Sequence, residues 1–155
     1  MSFKIKPCTS KQLPEILEIF NDAILNSMAL YDYKIRTLDS MNAWYDDKVK
    51  NNYPLIGAYD DNDLLLGFAT YGMFRVRPAY KYTVEHSVYV RADKRGHGIG
   101  KILLQEIIKN AEAQNFHVLV GVIDASNEVS IKMHENEGFT LVGILKQSGY
   151  KFGKW

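Results

Sequence analysis

The chain of 155 residues contains one cysteine, Cys8, so no disulfide can close within it. That scarcity fits a reducing compartment and leaves stability to an apolar core, which a chain of this length can build without covalent staples. Long apolar runs are missing too. None approaches the ~20 residues of a membrane span, and the opening MSFKIKPCTS holds no apolar stretch of signal-peptide length. The expectation is a cytoplasmic protein without membrane contact. Charge of one sign is also lacking: 19 Lys and Arg stand against 18 Asp and Glu, a net of +1. Such a balance provides no global basic field for nucleic acid. Apolar residues at 46% and charged residues at 24% are those of a globular protein. No repeat, low-complexity tract or linker divides the sequence, so residues 1–155 read as one domain.

What is present is strongly patterned. Phe3 and Ile5 alternate with Lys4 and Lys6, which predicts a half-exposed strand; Cys8, just after it, reads as a small, half-buried filler, with a nucleophile as its other reading. Thr9 or Ser10 can cap a helix over about 11–26, where Leu13, Ile16, Leu17, Phe20 and Ile24 fall at helical spacing. Thr37 or Ser40 starts a second helix, with Met41, Trp44, Tyr45 and Val49 on its apolar side. Strands over 54–59 and 64–71 flank the turn Asp60-Asp61-Asn62-Asp63 and form a hairpin. A strand over 82–90 puts Thr83, Glu85, Ser87 and Tyr89 on one face and Val84, His86, Val88 and Val90 on the other. Ile99, Leu103, Leu104, Ile107, Ile108 and Ala111 mark a helix to about Gln114. Residues 118–123 read as a buried strand, 127–137 as a short helix stopped by Gly138, and 139–145 as a further strand. Residues 150–155 begin another that ends early, leaving an open sheet edge. Three consecutive strands predict antiparallel pairing, and the later alternation a parallel continuation. The fold class is therefore a mixed α/β (α+β) sheet, mostly antiparallel, with helices on both faces.

The most informative segment runs from strand to helix through Arg95-Gly96-His97-Gly98-Ile99-Gly100-Lys101. Alternating glycines let the backbone turn tightly and approach a ligand. The helix that follows offers free N–H groups and the positive end of its dipole, a site for pyrophosphate. Arg91, Lys94, Arg95 and Lys101 add charge around it. The G-x-G-x-G spacing fails the dinucleotide fingerprint, and Gly100-Lys101-Ile102 fails the P-loop.

That segment resembles the R/Q-x-x-G-x-G/A signature of the GNAT acetyltransferases, and the order of elements agrees with that fold over nearly the whole chain. Phe74-Arg75-Val76-Arg77-Pro78, Thr83-Val84-Glu85-His86-Ser87-Val88-Tyr89-Val90, Met133-His134-Glu135, Gly138-Phe139 and the stretch from Gly149 to Trp155 are similar to one branch. It contains phosphinothricin N-acetyltransferases and relatives that acetylate methionine sulfoximine and methionine sulfone. The resemblance implies acetyl-CoA as acetyl donor, a small-molecule amine as acceptor, and a homodimer; the four histidines and scattered acids show no metal-ligand spacing, and the local basic loop has no aromatic stacking pattern for nucleic acid, so neither a metal nor nucleic acid is expected. The resemblance also implies that Arg95, Gly96, His97, Gly98, Ile99, Gly100 and Lys101 hold the pyrophosphate, while Val88, Tyr89, Val90 and Asn127 bond the pantetheine arm.

Acetyl transfer to an amine requires that the amine lose a proton, that negative charge on the acyl oxygen be stabilised, and that the departing thiolate be protonated or tolerated. Glu85, on the strand leading into the glycine loop, is the candidate base; a surface carboxylate or a partner for Lys81 or Arg75 is its other reading. Backbone N–H groups near Val88 to Val90 would meet the oxygen. His134 shares a helix face with Asn127 and Ile131 and either packs there or protonates the thiolate, a role the resemblance implies. Asn127 is also a natural helix cap. Arg75 and Arg77 either clamp anionic groups of an amino acid analogue or belong to a solvated loop, and Phe74, Tyr31 and Tyr33 could wall the pocket, with a dimer interface as the other reading of the two tyrosines.

Overall fold

The computed structural model describes residues 2–155. Both early helical stretches open on a reciprocal cap that satisfies free N–H groups. Thr9 accepts from Lys11 N while Gln12 Oε1 accepts from Thr9 N, closing a short 3-10 turn, Ser10–Gln12, ahead of α1 (Leu13–Asn26). Thr37 and Ser40 exchange the same pair of bonds at the start of α2 (Leu38–Lys50). β1 (Lys4–Pro7), β2 (Leu55–Tyr59), β3 (Leu65–Met73), β4 (Thr83–Val90) and β5 (Val118–Val120) form one sheet in sequence order. The first three pairings are antiparallel; β4 and β5, connected through α3 (Ile99–Ala113), are parallel. α4 (Glu128–Asn136) follows β5. The mixed, mostly antiparallel sheet agrees with the expectation.

Helices cover both faces. Ile99, Leu103, Leu104 and Ile107 of α3 pack on Ile56, Leu66, Tyr71 and Val84. Across the sheet, Leu13, Ile16, Ile19 and Phe20 of α1 join Met41 of α2 against Leu55, Tyr59, Leu65 and Phe68. Each such buried side chain contributes about 1.5–3 kcal/mol. The Phe20 ring meets Trp44, Phe68 and Tyr89 at 5.4, 5.0 and 5.2 Å, which anchors α1, α2 and β4 to one another. Cys8 is buried, and burial pushes its thiol up to about 11, so it is a filler and not a nucleophile.

Four expectations change. Val49 is exposed, and Lys48 takes its place on the buried stripe, its Nζ donating to Tyr71 O at 2.9 Å. The spacing 41, 44, 45, 48 is a regular helical face; the lysine stem packs and its head finds a carbonyl. Residues 118–123 are not a buried strand: β5 is three residues long, lies at the sheet edge and leaves Val118 and Val122 exposed. Residues 139–145 form no ladder, and Val142 is 97% exposed. Their β-branched side chains favour a strand only where a neighbouring edge offers hydrogen bonds, and so short a β5 offers none to them. Residues 150–155 fold into a tight turn. Phe152 and Gly153 both have positive φ, and Lys151 and Lys154 exchange backbone bonds of 2.8 and 3.0 Å.

That turn has a structural task. Lys151 is 2% exposed, and its Nζ donates to Ser27 O at 2.8 Å, Leu30 O at 2.5 Å and Ala23 O at 3.5 Å. Ser27 O and Leu30 O lie in the loop just beyond α1, and Ala23 O, in the last turn of the helix, also accepts from the Ser27 N–H and hydroxyl. Tyr33 Oη–H donates to Tyr150 O, so the loop 28–36 is fastened to the end of the chain at two points.

Candidate active site

On its β3 side, β4 is paired from Val84 to Val90. On its β5 side the ladder covers only Thr83 to Glu85, opposite Val118 to Val120. Beyond Glu85 the strands part, and residues 121–124 pair with nothing in the sheet. Alternate backbone N–H and C=O groups of 86–90 therefore face a gap that opens toward the glycine loop. Within that stretch Val90 O accepts a 3.3 Å bond from Arg95 Nε.

The loop is built for an anion. Gly96 and Gly98 have φ of +79° and +78°, and a Cβ at either would meet nothing within 4 Å. Here conformation requires glycine, and the space in front is open. Gly98 is the N-cap of α3 and carries no side chain to occupy the N–H groups of Ile99, Gly100 and Lys101. The Ile99 side chain is buried in the core and pins the helix start, whereas Arg95, Gly96, His97 and Gly98 are exposed. Of the four cations expected here, Arg91 is drawn off: it bonds Glu18 at 3.0 Å and Leu65 O at 2.6 Å. Lys94, Arg95 and Lys101 remain at the loop, with Lys101 3.6 Å from Glu137.

Glu85 sits where the gap begins, half-buried. Burial raises its carboxyl from the usual value, and among the described residues no neighbouring charge offsets it. The salt-bridge reading with Lys81 or Arg75 therefore has no support. Tyr89, two alternations along the same face, packs into the aromatic cluster, and burial raises its phenol to about 12.

His134 lies behind the opposite face of β4. Its Nε2 is 3.1 Å from His86 Nε2 and its Nδ1 is 2.7 Å from Ser130 O. Glu85 and His134 are thus brought to the same gap from opposite sides of the strand. Asn127 caps α4, its Oδ1 accepting from Ser130 N at 3.1 Å, which leaves its amide N–H group for another partner.

The expected substrate residues divide into two groups. Arg75 and Arg77 line a pocket of about 280 Å³ with Tyr53, Tyr80, Lys81 and Thr83, beside the start of β4. Phe74 packs on Tyr80 at 5.8 Å, and the Arg75 guanidinium lies 5.3 Å from the Phe74 ring centre. Tyr31 stands apart from them. Its hydroxyl donates to Asp124 at 2.5 Å, tying the loop 28–36 to the loop between β5 and α4. Its ring lies on Gly149, where a Cβ would come within 2.5 Å of it. Nothing in the sequence assigned Asp124 a role at the site, because it acts through a partner far along the chain.

A strand pair that opens beside a helix start stripped of caps suits a long ligand with a phosphate at one end and an extended, amide-bearing arm at the other. These are the features of an acyl-CoA-dependent transferase. Residues 5–155 match the acetyltransferase (GNAT) domain family, and the chain belongs to that family. It is 42% identical, over all of its length and 90% of the relative, to an L-methionine sulfoximine/L-methionine sulfone acetyltransferase of Pseudomonas aeruginosa. An N-acetyltransferase structure from Staphylococcus aureus is 46% identical, with a TM-score of 0.96 over 100% of this chain and 93% of that one. A phosphinothricin acetyltransferase from Sinorhizobium meliloti, solved with acetyl-CoA, is 33% identical, with a TM-score of 0.96 over 100% of this chain and 84% of that one.

GNAT acetyltransferases use acetyl-CoA, and the residues here fit it: open space before Gly96 and Gly98, free N–H groups at α3, and an unpaired edge on β4. Gly98→Val should raise the dissociation constant for acetyl-CoA about ten-fold or more, since left-handed strain of about 1–2 kcal/mol reshapes the loop. Calorimetric titration checks it; unchanged affinity would remove the loop from the binding site.

Proposed function

We propose that the enzyme transfers the acetyl group of acetyl-CoA to the α-amine of a small amino acid analogue of the methionine sulfone, methionine sulfoximine or phosphinothricin type. The observation that carries this reading is the half-buried Glu85 carboxylate, without a charge partner among the described residues, at the point where β4 and β5 part. When bound, acetyl-CoA supplies an activated acyl group. The N–H groups from Gly96 to Lys101, with Arg95, hold its pyrophosphate. The free edge at Val88, Tyr89 and Val90 takes its arm as it would an added strand, and an N–H on that edge stabilises charge on the acyl oxygen. The Asn127 amide reaches the same arm. Glu85 takes the amine proton directly or through one water. His134, expected either to pack or to protonate the departing thiolate, has both ring nitrogens engaged; on this reading Glu85 takes the amine proton, and the thiolate leaves as the anion and takes its proton from water.

Arg75 and Arg77, with Phe74 beside them, bind the acceptor's anionic groups, and Tyr31 closes the far wall. Arg75→Gln should raise the KM for the acceptor about ten-fold with little change in kcat, the pattern of lost uniform binding. On this reading the single domain works in the cytoplasm as a homodimer. Among the described residues no helix is long and apolar enough to cross a membrane. Exposed Leu141, Val142, Ile144 and Leu145 offer a second subunit apolar surface, which light scattering would detect as a doubled mass.

The decisive assay is release of the CoA thiol from acetyl-CoA with phosphinothricin, methionine sulfoximine and methionine sulfone as acceptors. Turnover with at least one is expected. Binding of acetyl-CoA without release with any of them overturns the amino acid reading in favour of peptide amines or a regulator that binds without transfer.

A further inference from the structure

His86 and His134 are 8% and 5% exposed, far below what imidazole usually accepts without charged partners. Their rings are nearly parallel, at 16°, with the two Nε2 atoms 3.1 Å apart, and Phe139 packs edge-on against both. The protons can be placed by elimination. Ser130 O can only accept, so the 2.7 Å contact puts a proton on His134 Nδ1. In a neutral pair His134 Nε2 is then bare, and the proton between the rings belongs to His86 Nε2. His86 Nδ1 must in turn be bare, and it is the buried side-chain atom without a hydrogen-bond partner among the described residues.

A further proton would have to be accommodated with His86 Nδ1–H aimed into this partnerless space. Burial acts in the same direction, pushing His86 down to about 4, with the His134 charge as the lesser cause. Burial also lowers His134 against the opposing Ser130 bond. Among the described residues no other ionisable group bears on either ring. A second observation ties the pair to the gap. A Cβ on Gly121 would stand 2.9 Å from His86 Nε2 and 3.4 Å from His134 Cδ2. The chain leaving β5 therefore rides over the two rings at the place where it separates from β4.

We propose that His86 is a positioning residue for acetyl transfer: its Nε2–H···Nε2 bond holds His134 as a neutral, fixed ring, and the pair beneath Gly121 sets where the two strands diverge. Its kinetic consequence rests on the proposed acetyl transfer; its spectroscopic consequence does not. His134 on this account is part of the wall of the gap and gives no proton to the reaction.

The test combines ring-nitrogen NMR of the full chain, from about pH 8 to about pH 5.5 across the usual imidazole range, with kinetics of His86→Leu and His86→Gln on methionine sulfone. Wild type should show His134 protonated at Nδ1 and His86 at Nε2, with neither ring titrating in that range. His86→Leu should lower kcat about 10- to 100-fold, the cost of sub-ångström misplacement, with little change in acceptor KM. His86→Gln, whose amide can still donate to His134 Nε2, should recover most of the loss. Titration of either wild-type ring in that range, or a folded His86→Leu with wild-type kcat, overturns the proposal. Should His86→Leu fail to fold, the wild-type spectrum and His86→Gln still decide. Absence of turnover by wild type would sink the transfer reading, while the spectrum would still decide the state of the pair.

Discussion

Glu85→Gln is expected to lower kcat about 10²- to 10⁴-fold, the usual worth of a positioned general base, while acetyl-CoA binding stays near wild type. Gln preserves the shape of the side chain and removes only its capacity to accept a proton. The carboxyl lies at the last paired residue of β4 before the gap, and burial without a compensating cation raises its pKa. The sign of the pH dependence follows. A raised carboxyl pKa means that the base is lost earlier as pH falls, so the acid limb of kcat/KM should lie above the ordinary carboxylate range. The variant should lack the Glu85 contribution to that limb. A Glu85→Gln enzyme with the wild-type rate would leave the family assignment intact and remove Glu85 from the chemistry.

Lys151→Met should destabilise the protein by about 3 kcal/mol, measured as the denaturant midpoint at unchanged slope. Methionine can replace the buried stem but not the ammonium, which bonds Ser27 O, Leu30 O and, more weakly, Ala23 O. Hydrogen bonds from a charged donor are worth about 1.5–3 kcal/mol, and stranded buried acceptors cost more than paired ones. The effect should extend beyond stability. Without the ammonium, the loop 28–36 loses one of its two fastenings to residues 150–151, and Tyr31 is held less firmly on Asp124. Acceptor KM should therefore rise more than acetyl-CoA KM. A variant as stable as wild type would show that water replaces the ammonium at these carbonyls.

The elements that could be read from the sequence were those fixed by local pattern. Apolar spacing in Leu13, Ile16 and Phe20, and in Leu103, Leu104 and Ile107, marked α1 and α3 because each has one buried face. Alternation along 83–90 placed Glu85 and His86 on opposite faces, as the structure does. The glycine loop was legible because positive φ at Gly96 and Gly98 has a direct residue signature. What stayed hidden depended on partners distant in the chain. Val118 and its neighbours look like any buried strand, and nothing in their letters says that pairing stops at Val120. Residues 139–145 carry strand formers without a strand beside them. Lys48 and Lys151 look like surface charges until the carbonyls that receive them are known. The meeting of His86 with His134 joins positions 48 residues apart.

The interrupted ladder between β4 and β5 has a consequence for the protein's persistence as well as its chemistry. A sheet that stops pairing beside an inner strand is an incomplete structure, and a ligand that fills the gap becomes a removable part of the fold. By mass action such a ligand adds RT ln(1 + [L]/Kd) to the free energy of unfolding, about 2.7 kcal/mol at one hundred times Kd. The melting temperature should therefore follow the concentration of acetyl-CoA. In a cell whose acyl-donor pool falls, the enzyme would become idle and easier to unfold together, so that its abundance would track the supply of the molecule it consumes.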